Sequence, residues 1–229
     1  MKDQPKQIPT LVISLGGSLI CPDNPDIEYL QSFKSIVRRL TRTHKIIIIT
    51  GGGRVCREYQ DASRQFTTDP TEIDWIGIIS TRLNAQLVAA LLGYRNPVVT
   101  DPRKPLHFSG NIIVAGGWKP GFSSDMDAVL LGKKCNAGLI FNLTNQDHVY
   151  TSDPRKNAHA KPLQTITWKE YLHLIGTTWT PGLSTPFDPV ASREAQRNRM
   201  TVHIIHGKRC NDIIKAINGK PFTGTTISP

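Results

Sequence analysis

The stretch Lys45–Arg57, KIIIITGGGRVCR, constrains the fold more than any other part of the chain. Ile46 to Ile49 is apolar at every position rather than at alternate ones. Both faces of that strand must be covered, as in a parallel sheet with helices on each side. Gly51, Gly52 and Gly53 follow where the strand ends. Without Cβ atoms the backbone can turn sharply and a ligand can reach the main chain. Their N–H groups, backed by the N-terminus of the following helix, make an anion site. Arg54 and Arg57 open that helix and add charge-assisted donors for a phosphate. Three residues apart, they occupy neighbouring parts of one face and are expected to point at the same gap. An ordinary strand-to-helix turn is the plainer reading.

The same pattern stands upstream. Leu11–Leu15 reads as a strand that ends in Gly16-Gly17-Ser18, and apolar residues from Ile27 to Leu40 recur at helical spacing. Strand, helix, strand, helix then repeat, and ligands of such α/β sheets sit at the carboxyl ends of the strands. Two glycine turns at that edge suit two phosphate groups. Asp74–Leu92 reads as a long, largely uncharged helix, expected to be buried, in part against a partner subunit. Asp74 at its start is read as a cap or dipole partner. Short strands are expected at Pro97–Thr100 and Asn111–Ala115, the second ending in Gly116-Gly117.

The loop Trp118-Lys119-Pro120-Gly121-Phe122 then leads into a helix that starts at Ser123-Ser124-Asp125. Hydroxyls and N–H groups at a helix start suit phosphate. Asp127 lies two positions from Asp125, so the two point in different directions and are not read as a catalytic pair. Strands are expected at Leu139–Leu143 and Val202–Ile205, helices at Trp168–Ile175, Val190–Asn198 and Asp212–Ile217, and a last strand within GKPFTGTTI. A polar loop joins Thr144 to Pro154, in which Tyr150 and Asp153 either line a pocket or close a turn. Pro181–Pro189 is rich in turn residues. His203 and His206 face opposite sides of a strand, which suits packing better than metal ligation.

The 229 residues suit one large α/β domain or two small ones. No apolar run approaches the length that spans a bilayer, and MKDQPKQIPT has no apolar core of a signal peptide, so neither membrane nor export is expected. Cys21, Cys56, Cys135 and Cys210 are scattered, against a metal cluster or disulfide framework and in favour of the cytoplasm. A net charge of +10 favours anionic partners, but no basic–aromatic interleaving suggests nucleic acid. Neither GxxxxGK[ST] nor GxGxxG follows a strand, which argues against the two commonest nucleotide-binding schemes.

ISLGGSL, ITGGGR, AGGWKPGFSSD, NLTNQDHVYTSDP and the terminal GTTI, in this order and spacing, resemble the amino-acid-kinase superfamily. Within it they resemble the uridylate (UMP) kinases, most of all the archaeal-type branch, to which CPDNPDIEYL and IDWIGIISTRLNAQL are also similar. The resemblance covers nearly the whole chain. It implies a single three-layer αβα sandwich on a mainly parallel sheet of about eight strands. Residues 1–135 would form mainly the acceptor side and 136–229 mainly the ATP side. It implies transfer of the ATP γ-phosphoryl group to UMP with Mg²⁺, no dedicated metal-binding cluster, and a hexamer built as a trimer of dimers. On motif position, Gly52, Asp74, Trp118, Lys119, Pro120, Gly121, Phe122, Ser123 and Ser124 correspond to the UMP side. Ser14, Leu15, Gly16, Gly17, Ser18, Gly53, Arg57, Thr144, Asn145, Tyr150 and Asp153 correspond to the ATP side. Arg57, Asp125 and Asp188 fall near the transferred phosphate.

The chain departs from the family pattern in three places. Ser14 stands where many members carry lysine, with Arg54, Arg57 and Lys119 as candidates for the missing charge. His148 replaces the glycine of N-x-D-G-V-Y, and Trp118 and Phe122 replace smaller or polar residues. Two other readings of the same motifs are a different small-molecule kinase of the superfamily and a nucleotide-binding regulator or storage protein.

Overall fold

A computed structural model describes residues 8–176 and 185–229. Its framework is a seven-stranded sheet in the order β3-β2-β1-β4-β8-β9-β7. The strands are β1 (Thr10–Leu15), β2 (Lys45–Thr50), β3 (Ile112–Ala115), β4 (Leu139–Thr144), β7 (Thr165–Thr167), β8 (Thr201–His206) and β9 (Thr225–Ser228). The first four and β8 run parallel, whereas β9 is antiparallel to β8. A separate hairpin pairs β5 (Val149–Tyr150) with β6 (Pro162–Leu163). The single sheet expected to hold about eight strands is therefore seven strands plus this hairpin.

Both faces of the sheet are covered, as the isoleucine run requires. Ile46 and Ile48 pack with Leu11, Ile13 and Leu15 against α2 (Ile27–Leu40), α4 (Pro70–Leu92) and α8 (Asn211–Ile217). Ile47 and Ile49 pack with Val12 against α5 (Ser124–Lys134), α6 (Trp168–Ile175) and α7 (Pro189–Arg197). All four isoleucines are fully buried. Two short helical segments complete the carboxyl edge: α1 (Gly17–Ile20) and the 11-residue α3 (Gly53–Ser63).

Two expectations about elements change. Pro97–Thr100 is not a strand: it contributes one bridge, Val99 to Ala115. The long helix begins a turn earlier than Asp74, at Pro70, with Asp69 as its cap through a 2.8 Å bond from the Thr71 N–H. Proline in the first turn after an aspartate is the start signal that fixes this boundary. This helix is also long and apolar enough, by length and composition alone, to cross a membrane. It instead packs its Ile73, Ile78, Ala85 and Val88 inside the domain. Part of the Pro181–Pro189 turn segment lies outside the described residues.

The two glycine turns touch through their backbones. A Cβ on Gly17 would lie 2.2 Å from the Gly53 nitrogen and 2.5 Å from the Gly51 oxygen. Gly53 has φ of +71°, and a Cβ there would lie 2.5 Å from the Gly17 oxygen. Main-chain atoms on both sides cannot rotate away. Gly17→Ala is therefore expected to destabilise the fold by about 1–3 kcal/mol or more through overpacking. Gly93→Ala, at φ +68° but with open space around it, should cost only about 1–2 kcal/mol of backbone strain. Denaturant unfolding of both variants checks the contrast, and equal losses would contradict it.

Candidate active site

At the carboxyl edge of β1, β2, β3 and β4 lies a cleft of about 520 Å³. One wall is the second glycine turn with Gly52, Gly53 and Arg57; another is α4 with Asp74, Gly77 and Thr81. Phe122, Ser123 and Ser124 of the loop before α5 close it, with Ser18, Asn145, Asp125 and Asp188 along the remaining side. Residues distant in sequence thus face one space, including members of both groups assigned by motif position.

The acidic end of the cleft is built from two helix starts. Asp188 caps α7, accepting the Val190 and Ala191 N–H groups at 2.7 and 2.9 Å. Its other oxygen accepts the Ser123 hydroxyl in a short contact, while Ser123 caps α5 by accepting the Met126 N–H at 3.1 Å. Ser123 is therefore committed to structure, and Ser124 is the hydroxyl left to the cleft. Asp125 accepts the Ser14 hydroxyl at 3.2 Å and the Asp188 N–H at 3.1 Å. Burial first, and the neighbouring Asp188 charge second, push the Asp125 carboxyl up from the usual carboxylate range. Ser14 is thus buried behind the cleft wall as a partner of this acid.

The cations separate. Arg57 is exposed along the cleft and has no hydrogen bond or ion pair among the described residues. Arg54 is turned away, paired with Asp23 and, at 2.5 Å, with Glu58. Lys119 rests over the Trp118 and Phe122 rings at 4.4 and 4.9 Å. The expectation that Arg54 and Arg57 share one gap fails because two carboxylates draw Arg54 to the surface.

Other assigned residues act through backbone or lie apart. The Leu15 side chain is in the core, and its carbonyl accepts the Gly51 N–H at 2.9 Å. The Gly16 N–H donates to the Leu143 carbonyl at 2.9 Å, which ties β1 to β4. Gly52 is required by α3 itself, since a Cβ would lie 2.5 Å from the Cys56 Cβ. Thr144 bonds to Asn145 at 3.4 Å. Tyr150 and Asp153 line a smaller cavity of about 160 Å³, which shares Thr185 with the main cleft. Asp153 is gripped there by Arg155, and His148 packs edge-on against Tyr150 with its Nε2 buried and unpartnered. Pro120 and Gly121 shape the loop tip, where the Gly121 N–H donates to Asp74 at 2.7 Å. Asp74 is half-buried, and its carboxyl is raised by that burial, an effect partly offset by this bond.

Sequence reasoning missed the polar residues of α4 and α5 that hold these turns. Asn84 donates to the Gly51 and Gly52 carbonyls at 2.7 and 3.2 Å. Thr81, Arg82 and Asp127 hold Gly117 and Trp118. The available signal was their polarity: Asn84 and Asp127 are buried in segments otherwise rich in apolar residues. Polar groups in such places need partners.

Comparison with known proteins agrees with this architecture. Residues 9–206 match the model of the amino acid kinase family. The uridylate kinase of Pyrococcus abyssi is 36% identical over 225 residues, covering 96% of this chain and 99% of that protein. That of Thermococcus onnurineus is 35% identical with the same coverage. The crystal structure of the Archaeoglobus fulgidus uridylate kinase superposes with a TM-score of 0.79 at 26% identity, over 95% of this chain and 99% of that one. The UMP kinase of Ureaplasma parvum, at 21% identity and a TM-score of 0.78, shares the fold over 98% of this chain and 100% of its own.

Asp127 gives a pH-dependent prediction. Burial pushes its carboxyl up to about 7. The folded state therefore holds this proton more tightly than the unfolded chain. Stability is favoured below about pH 4 and falls as pH rises through about 7. Asp127→Asn should raise stability at pH 8, by at most roughly a few kcal/mol, and with it the melting temperature, and the gain should fade towards pH 4. Thermal melts across that range check it; a gain independent of pH would contradict the assignment.

Proposed function

The chain belongs to the amino acid kinase family, and from that premise we propose how its residues carry the reaction. It is a UMP kinase, transferring the γ-phosphoryl group of ATP to UMP to give UDP and ADP. One structural observation supports the assignment of parts. Two glycine turns in backbone contact open, together with Arg57 and the Asp125–Asp188 pair, into one cleft. Phosphoryl transfer needs its two phosphates held in line and their charge neutralised more than it needs a covalent partner. The UMP phosphate is already ionised, so no general base is required.

We assign the acceptor side to Gly52, Asp74 and the loop from Trp118 to Ser124, with Asp74 facing the ribose of UMP. The ATP side comprises the turn from Ser14 to Ser18, Gly53, Thr144, Asn145, Tyr150 and Asp153. The roles divide the single domain at about residue 135, with the first glycine turn crossing to the ATP half. Main-chain N–H groups at the start of α3 face the transferred group, where an anion is favoured. Arg57 is the cation available to the charge that develops in the transition state.

The acids fit a magnesium ion brought in with ATP. Asp125 and Asp188 lie side by side, and burial and mutual charge disfavour ionisation of Asp125, a cost that a cation would relieve. Among the described residues no group of three or more His, Cys, Asp or Glu gathers as a metal site. One or two carboxylates with phosphate oxygens and water is the usual magnesium arrangement. Bound there, Mg²⁺ would neutralise charge on the β- and γ-phosphates. Ser14, through Asp125, orients that carboxylate.

We further infer a homo-oligomer, a hexamer assembled from dimers. Trp75, Ile79 and Leu83 are 40%, 61% and 62% exposed at four-residue spacing, so α4 carries one uncovered apolar stripe. The reaction and four free thiols fit the cytoplasm. Leu83→Glu should lower the assembly state in sedimentation analysis, and unchanged sedimentation would contradict an interface on this face.

The reaction is tested by following ADP formation with UMP, CMP, N-acetylglutamate and isopentenyl phosphate. UMP should be the preferred acceptor, and preference for another would overturn the reading. Arg57→Ala should lower turnover at saturating ATP, UMP and Mg²⁺ by at least about 100-fold, equivalent to about 2.7 kcal/mol. Near-normal turnover would place the compensating charge elsewhere.

A further inference from the structure

We propose that Arg82 is a positioning residue for the acceptor: it locks the base of the loop that closes over UMP while lying outside the cleft itself. The inference rests on the reading of residues 117–124 as the acceptor loop. Every main-chain polar group of Gly117 and Trp118 bonds to a side chain. The Arg82 Nε donates to the Gly117 carbonyl at 3.0 Å, and its Nη2 donates to the Trp118 carbonyl at 2.7 Å. The Gly117 N–H donates to the Thr81 hydroxyl at 2.7 Å, and the Trp118 N–H donates to Asp127 at 3.0 Å. Two helices, α4 and α5, thus hold two consecutive residues from both sides.

The fit also depends on the absence of side chains. A Cβ on Gly116 would lie 2.9 Å from the Arg82 Cα, and one on Gly117 would lie 2.9 Å from the Thr81 hydroxyl. The glycine pair lets the loop backbone lie directly on α4, where a planar guanidinium reaches two successive carbonyls at once. The guanidinium is in turn backed by the Trp75 ring, 5.6 Å from its carbon. Lysine carries the same charge but cannot reproduce the fork. Four residues beyond this clamp, Phe122, Ser123 and Ser124 enter the cleft, and Gly121 bonds to Asp74. Arg82 is not among the cleft-lining residues, so its effect on substrate passes through the loop.

This geometry predicts a selective kinetic defect. Freeing the base of the loop displaces the acceptor wall, whereas the first glycine turn, on the ATP side, is tied to β4 by the Gly16 N–H donating to the Leu143 carbonyl and stays in place. Steady-state kinetics of the full-length protein, with each substrate varied at saturation of the other, compares the parent, Arg82→Leu, Arg82→Lys and Asp127→Asn. Arg82→Leu should raise KM for UMP at least about tenfold and leave KM for ATP within about twofold. Arg82→Lys should show a rise in KM for UMP between the two. Asp127→Asn, which retains an acceptor for the Trp118 N–H, should raise KM for UMP less than Arg82→Leu does. Parallel rises in both KM values with a lowered melting temperature would mark Arg82 as merely structural and overturn the proposal. So would a folded Arg82→Leu enzyme with unchanged KM for UMP. If Arg82→Leu does not fold, a parental KM for UMP in Arg82→Lys has the same force. A parent protein inactive towards UMP would overturn the functional reading and the clamp with it, whereas an active parent with unaffected Arg82 variants overturns the clamp alone.

Discussion

The site depends on one contact: the backbone of Gly17 against the backbones of Gly51 and Gly53. With any larger residue at these positions the ends of β1 and β2 would be pushed apart by main-chain atoms that have nowhere to move. Closing this gap brings the two strand-end turns to one point on the carboxyl edge. Everything that faces a ligand is then arranged around that point. Asn84 fixes the carbonyls of the second turn, the Leu15 carbonyl accepts its Gly51 N–H, and the Leu143 carbonyl anchors the first turn to β4. Helix α4 does this for the loop before α5 too, through Asp74, Thr81 and Arg82. A single long helix thereby sets the distance between the glycine turns and the loop opposite.

Charge is distributed over this frame with little redundancy. Buried Asp188 and half-buried Asp125 sit at one end, satisfied by hydroxyls and helix-start N–H groups, and Arg57 stands along the wall with no hydrogen bond or ion pair among the described residues. In the first strand, where the family resemblance led to the expectation of a lysine, this chain has Ser14, which donates to Asp125 instead. Of the cations near the site, Arg54 is neutralised by carboxylates and Lys119 lies on aromatic rings. Burial of Asp127, and the partial burial of Asp125 beside Asp188, cost stability at neutral pH. In return both acids hold main-chain N–H groups, Asp127 that of Trp118 and Asp125 that of Asp188.

Most of the frame was legible in the sequence because periodicity and turn residues specify it locally. The unbroken isoleucine run dictated a doubly covered strand, and α2 and α6 follow their apolar spacing to the residue. The motifs also gave the family. What local patterns could not give was the direction of side chains. Arg54 and Arg57 share a helical face by spacing, yet Asp23, thirty-one positions away, decides where Arg54 goes. Apolar spacing alone makes Asp74 resemble a helix start, but the Asp69-Pro70 signal one turn earlier sets the boundary. Ser123 looked like a ligand hydroxyl but is held by Asp188, which comes from α7. Arg82 and Asn84 were hidden in a helix that reads as a packing element, since their partners are carbonyls of loops defined only by the folded chain.

The central claim is that one cleft holds both nucleotides with their phosphates meeting at the glycine turns. Titration calorimetry with a uridine and an adenosine joined 5′ to 5′ by five phosphates tests it most directly. Two sites in one cleft should bind this compound one per chain and tighter than UMP or ATP alone, because the second half then binds at a high effective concentration. UMP should not bind to the saturated protein. An affinity no greater than that of the better single nucleotide, or full UMP binding in the presence of the joined compound, would contradict the account.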